Sequence, residues 1–136
     1  MSQYFSIDGP DVWNPSNGPG TLFTRLAEAF VPLAGGPSGL GVTPGDPGDH
    51  PIDGAAFAAF TGALVAEYRA TSHPINRALL EGFVVTAAVL ARRGGLALPA
   101  LDGPIASSPR DIPGGGAAGP DRLAELMAEY ERAMPV

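Results

Sequence analysis

The sequence contains no cysteine, so no disulfide, thiolate metal site, iron–sulfur cluster or cysteine nucleophile can be built from it. Lysine is missing as well. All eight basic residues are arginines, which removes amine nucleophiles, Schiff-base chemistry and a phosphate-loop lysine. The arginines are scattered and outnumbered by 14 acidic residues, leaving a net charge of -6. Without a basic stripe to displace counterions from a phosphate backbone, nucleic acid is not an expected partner. The most apolar stretch, Gly82 to Ala91, has ten residues, about half of what a bilayer-spanning helix needs, so no membrane partner is expected either. The opening MSQYFSIDGPD has neither the basic region nor the apolar run of a secretory signal. A cytoplasmic location is the expectation.

What is abundant is glycine and proline, 19 and 15 of 136 residues, a level at which low-complexity chains begin. Yet 45% of residues are hydrophobic, whereas a chain that cannot collapse combines low hydrophobicity with high net charge. The resolution is regional: 22 of those 34 residues fall in two segments, Ala34 to Asp53 and Gly94 to Pro120. The length suits one core. The expected organisation is a helical core over residues 1–95, a Gly/Pro-rich loop or linker over 96–120, and an amphipathic helix over 121–136.

Tyr4 to Ile7 alternates large apolar and small polar residues, and Asp8-Gly9-Pro10-Asp11 supplies a turn, which predicts a short hairpin or extended arm. A first helix is predicted over about Thr21 to Val31, with Leu22, Phe23, Leu26 and Phe30 on one face and Pro32 ending it. Asp53 is an N-cap acid for a second helix running to about Arg69, whose Phe57, Phe60, Leu64 and Tyr68 line one face while the other is nearly all Ala and Gly. That helix is either sandwiched or docked on another chain. A third, Pro74 to Arg93, is apolar all round in its second half and so belongs at the centre; Gly94 follows as its C′ residue. The fourth, from Asp121, carries Leu123, Leu126, Met127, Tyr130 and Met134 in a stripe opposite charged residues. The predicted fold is therefore mainly α: a small bundle of about four helices with a short extended N-terminal arm and two long Gly/Pro-rich loops.

Few residues suggest chemistry. Gly35 to Gly41 does not match a dinucleotide or nucleophile-elbow pattern and follows a helix instead of a strand. Asp46, Asp49 and His50, with Asp53, gather carboxylates and an imidazole suited to a divalent metal. Their spacing matches no calcium loop, and a solvated acidic loop is the simpler reading. His73, Arg77 and Glu81 recur every four residues; His73 with Glu81 would suit general acid–base work, against the plainer reading of a helix cap and a surface ion pair. Trp13, Asn14, Ser16 and Asn17 form a turn that either binds something or anchors the arm and caps the first helix. No cofactor is called for.

The opening Met1-Ser2-Gln3-Tyr4-Phe5, the Trp13-Asn14-Pro15-Ser16-Asn17-Gly18 run, Pro37 to Gly41, Ile52-Asp53 with Phe57 and Phe60, and Glu81-Gly82-Phe83 resemble a family of small actinobacterial proteins of unknown function. The resemblance covers about the first 95 residues and implies no activity. Two functions are expected from the residues themselves. The first is a small acidic protein-binding module, immunity- or chaperone-like, whose partner is another protein or a second copy of itself through the second or fourth helix. The alternative is a cofactor-independent cyclase, isomerase or hydrolase of specialised metabolism, using His73 with Glu81 or the Trp13 turn.

Overall fold

A computed structural model of the chain describes residues 2–102 and 120–136. Most of the loop expected over 96–120 lies outside the described residues. The elements in chain order are β1 (Tyr4–Ile7), β2 (Asp11–Trp13), α1 (Asn17–Ala34), β3 (Asp49–Ile52), α2 (Gly54–Ala70), α3 (Pro74–Arg93), a 3-10 turn (Pro99–Leu101) and α4 (Pro120–Ala133). The mainly α bundle is thereby corrected to a small α/β fold, because a three-stranded mixed sheet of order β2-β1-β3 stands beside the four helices.

The N-terminal arm is the centre of that sheet. Asp8 (φ 54°) and Gly9 (φ 108°) both take left-handed backbone, the demand of a two-residue hairpin turn that Asp-Gly satisfies. β1 and β2 then pair antiparallel, Phe5 opposite Trp13 and Ser6 opposite Asp11, with Val12 bulged between them. On its other side β1 pairs in parallel with β3, Tyr4 opposite Asp49 through Ile7 opposite Ile52. β3 is the strand that the sequence reading placed in a solvated loop. Pro51 cannot donate to a ladder, but β3 has a named strand on one side only, and edge positions tolerate proline.

The helices bury one face each against this sheet and one another. α3 is the axis: Val84, Val85, Ala87, Ala88, Val89, Leu90 and Ala91 are fully enclosed, as expected of a helix apolar all round. α3 is also long and apolar enough to cross a membrane, with a mean hydropathy of 1.4, but half of that window is buried inside the protein. α2 runs as predicted, its Asp53 accepting the Ala56 N–H at 3.2 Å. Its aromatic face is enclosed, while Ala55, Ala59 and Ala66 on the other are exposed.

α1 is longer than predicted at both ends. Pro19 lies in its first turn, where a missing N–H costs little, and Pro32 lies in its last turn without ending it. The stop comes at Gly35, φ 79°, whose N–H bonds to the Val31 carbonyl. At the end of α3 the left-handed residue is Gly95, φ 72°, instead of Gly94. α4 lies on its own core with Leu123, Met127 and Met134 buried. Arg93 fastens it: the guanidinium donates to the Glu131 and Met134 carbonyls at 3.0 and 2.8 Å, to the Glu131 carboxylate at 2.7 Å, and to the bulged Val12 carbonyl at 2.8 Å.

Candidate functional site

Phe5, Trp13, Phe23, Phe30, Phe60 and Phe83 form one aromatic cluster, with Trp13 stacked on Phe5 at 5.3 Å and Phe23 on Phe83 at 4.9 Å. Helices cover most of it, but between α1, α3 and α4 it stays open as a groove of about 410 Å³. Trp13, Phe23 and Phe83 form the floor, Pro19, Leu22 and Leu26 one wall, and Ala78, Leu79, Gly82 and Thr86 the other, with Tyr130 beside Gly82. Leu22 is 59% exposed and Leu79 is 70% exposed; Ile75, one turn before Leu79, is 59% exposed. Tyr4, Val42 and Val136 are exposed as well, but Leu22 and Leu79 face each other across one apolar opening, the kind of patch at which partners or ligands bind.

This corrects Leu22, which the spacing of α1 placed with the core residues. It also brings in residues that sequence reasoning did not single out. Ile75, Ala78, Leu79 and Gly82 follow the i, i+3, i+4, i+7 spacing of a helix face, and that signal was present in the sequence. It lay beneath the Arg77/Glu81 spacing that shares the same turns.

The residues that the sequence marked for chemistry are dispersed. Trp13 is buried, 6% exposed, and belongs to the groove floor. The Asn14 N–H donates to the Pro135 carbonyl at 2.9 Å, and its Oδ1 is buried without a partner. Ser16 caps α1 by position but makes no side-chain cap bond, and Asn17 accepts from the Gln3 amide at 3.5 Å. Asp46 turns onto the Gly48 N–H and Asp49 accepts from the Thr43 hydroxyl at 2.6 Å. His50, their neighbour, is buried on the other side of the strand, stacked on Phe5. Among the described residues no three His, Asp or Glu side chains converge on a metal position.

His73 caps α3, its Nδ1 accepting the Ile75 N–H at 3.2 Å. Glu81 is engaged elsewhere: Arg122 of α4 grips its two oxygens at 3.2 Å each, and the buried Tyr68 hydroxyl of α2 donates to it at 2.8 Å. Burial and then the Glu81 contact push the Tyr68 phenol up to about 12. Burial acts to raise the Glu81 carboxyl, but the bonds from Arg122 and Tyr68 outweigh it and hold the group below its ordinary value. This constellation joins three helices and presents no free base.

A family model matches residues 1–136. The chain belongs to DUF6086, a family of unknown function. The match extends the resemblance read from the first 95 residues across α4, so the C-terminal helix is part of what the family shares. No curated protein matches the chain, and no solved structure does. The groove, built from Trp13 at one end of the chain and Tyr130 at the other, therefore lies wholly within the family's span.

Proposed function

We propose that this chain is a protein-binding module, and that the groove between α1, α3 and α4 receives the apolar face of a partner protein's amphipathic helix. The observation that carries the reading is the exposure of Leu22 and Leu79 around an aromatic floor, with exposed Ile75 one turn before Leu79 on α3. Helix-in-groove recognition needs such a trough, with anchors spaced at i, i+3, i+4 and i+7 on the incoming helix. Charge selects the partner. The chain carries -6, and Glu125 and Glu129 on the outer side of α4 are exposed. A basic helix is drawn in, while a second copy of the same acidic chain is repelled at low salt. The geometry favours this reading over catalysis by His73 and Glu81, because His73 serves as a cap and Glu81 is held by Tyr68 and Arg122.

Trp13 is the sole tryptophan and lies in the groove floor, so its fluorescence reports occupancy directly. A synthetic helical peptide with Leu at i, i+3, i+4 and i+7 and Lys on its other face is expected to change that emission saturably. Leu79→Asp and Leu22→Asp should each weaken binding roughly tenfold or more, a loss of about 1.4 kcal/mol. Binding indifferent to both substitutions would overturn the proposal. So would light scattering that shows a dimer of the peptide-free chain dissociated by Leu79→Asp, since the groove would then belong to a second copy.

A further inference from the structure

His50 lies in the core, 5% exposed, its ring flat against Phe5 with centroids 4.7 Å apart. Nδ1 is 3.1 Å from the Gly41 carbonyl and Nε2 is 3.0 Å from the Gln3 side-chain oxygen. A neutral imidazole has one N–H, so it cannot donate to both oxygens at once. The other side of the Gln3 amide meets Thr21 and Asn17: its nitrogen is 3.0 Å from the Thr21 hydroxyl and 3.5 Å from Asn17 Oδ1. Gln3 is 8% exposed, and nothing but the turning of its own amide exchanges its oxygen and nitrogen.

Two complete bonding patterns follow. With a neutral ring, Nδ1–H donates to Gly41, the Gln3 NH2 donates to Nε2, and the Gln3 oxygen accepts from the Thr21 hydroxyl. With a charged ring, both N–H groups donate, to Gly41 and to the Gln3 oxygen. The Gln3 NH2 then donates to Thr21 Oγ1 and Asn17 Oδ1. Neither pattern leaves a buried polar group of the chain His50–Gln3–Thr21 unsatisfied, which is what a group must meet to change protonation inside a core.

We infer that Gln3 is a relay, converting uptake of a proton at His50 into a reversal of hydrogen-bond direction at Thr21 and a new bond to Asn17, on the first turns of α1. The groups that bond or stack on the ring are Gln3, which immediately precedes β1, Phe5 of β1 and the Gly41 carbonyl, with Asn17 and Thr21 reached through Gln3; none of these is charged. The acids on either side of it in sequence are engaged elsewhere, Asp49 by Thr43 and Asp53 as the cap of α2. Gly20 makes room for the relay: a Cβ there would lie 2.6 Å from the Gln3 oxygen. Thr21 stands between Pro19 and Leu22 of the groove wall, but the relay holds whether or not anything docks there, since it is read within the protein alone.

The test is a nuclear magnetic resonance titration of the full chain from about pH 4 to about pH 9, which spans the ordinary range of imidazole. The His50 ring nitrogens, the Gln3 and Asn17 side-chain amides and the Thr21 signals should move with one shared midpoint. Gln3→Met keeps the length of the side chain and removes its donor and acceptor; Thr21 and Asn17 should then stop responding while His50 still titrates. Stationary Thr21 and Asn17 signals in the wild-type chain overturn the relay. So does their continued response in Gln3→Met, or a His50 ring that keeps one protonation state wherever the chain is folded. If Gln3→Met does not fold, the wild-type midpoints decide alone.

Discussion

At the scale of single residues, the consequential contacts join elements far apart in sequence. Tyr68 and Glu81 titrate in opposite senses. The fold raises the Tyr68 phenol from 10.0 to about 12, so its contribution is whole below pH 10 and is lost as pH climbs through 12. Glu81 is held below its ordinary value; its contribution is present above the ordinary carboxylate range and is lost as pH falls through the lowered value. Glu81→Gln should shift the last of the three tyrosines to ionise, followed by ultraviolet absorbance, downward from about 12 without reaching 10. Burial, the larger cause, survives the substitution. An unmoved last midpoint would show that the Glu81 contact does nothing for the phenol. A second residue-scale test concerns Gly39, whose φ is +79° and where a Cβ would meet the Asp53 carbonyl at 2.7 Å and the Phe57 nitrogen at 2.9 Å. Gly45 has φ +81° and open space. Gly45→Ala carries only the left-handed penalty of about 1 kcal/mol, whereas Gly39→Ala must also displace backbone and should cost about 2–3 kcal/mol. Urea unfolding midpoints of the two variants would have to coincide for this account to fail.

At the scale of elements, the C-terminal end of α4 is fastened by Arg93, which meets the Glu131 and Met134 carbonyls and the Glu131 carboxylate, while Arg122 ties its first turn to Glu81. Arg93→Met keeps the apolar stem and leaves those acceptors unpaired, at a cost of about 2–3 kcal/mol. Amide exchange in α4 should accelerate by roughly tenfold to a hundredfold, while the enclosed half of α3 changes less. Uniform acceleration through both helices would mean that α4 does not open as a separate unit. Which elements were legible in the sequence follows from how local their signals are. α2 and α3 could be delimited closely because Asp53, Pro74 and the arginines at the end of α3 act within one turn of the backbone they terminate. β3 was invisible because DHPI holds a proline and an aspartate. What makes it a strand is parallel pairing with β1, a partner 45 residues away that no local window contains. The expected end of α1 at Pro32 failed for a related reason: in a last turn, one lost backbone bond is outweighed by packing of the half-buried Phe30, Val31, Leu33 and Ala34 against the core.

At the scale of the molecule, the two sheet edges are partly engaged while the helical side is left open. The outer edge of β3 is met by the 39–43 segment, with the Gly41 and Thr43 N–H groups donating to Pro51 and Asp49 carbonyls at 2.9 and 3.0 Å. The outer edge of β2 is met by Arg93 on Val12 and by Pro135 on Asn14. Both edges thus have part of their backbone groups already engaged, and the proposed docking face is the groove instead of a sheet edge. The groove itself was only half legible. The sequence revealed that α1, α3 and α4 are amphipathic or apolar, but which apolar residues stay bare depends on how far the three axes stand apart, and that is fixed by tertiary packing. If Leu22 and Leu79 serve docking, the fold should not need them. The double variant Leu22→Gln/Leu79→Gln should unfold within about 0.5 kcal/mol per site of the parent, because both side chains are already more than half in water. The same variant should bind a hydrophobic dye such as anilinonaphthalene sulfonate more weakly than the parent. A loss above about 2 kcal/mol would make these leucines structural. The separation of stability from binding at this face is what distinguishes an interaction surface from an imperfectly covered core.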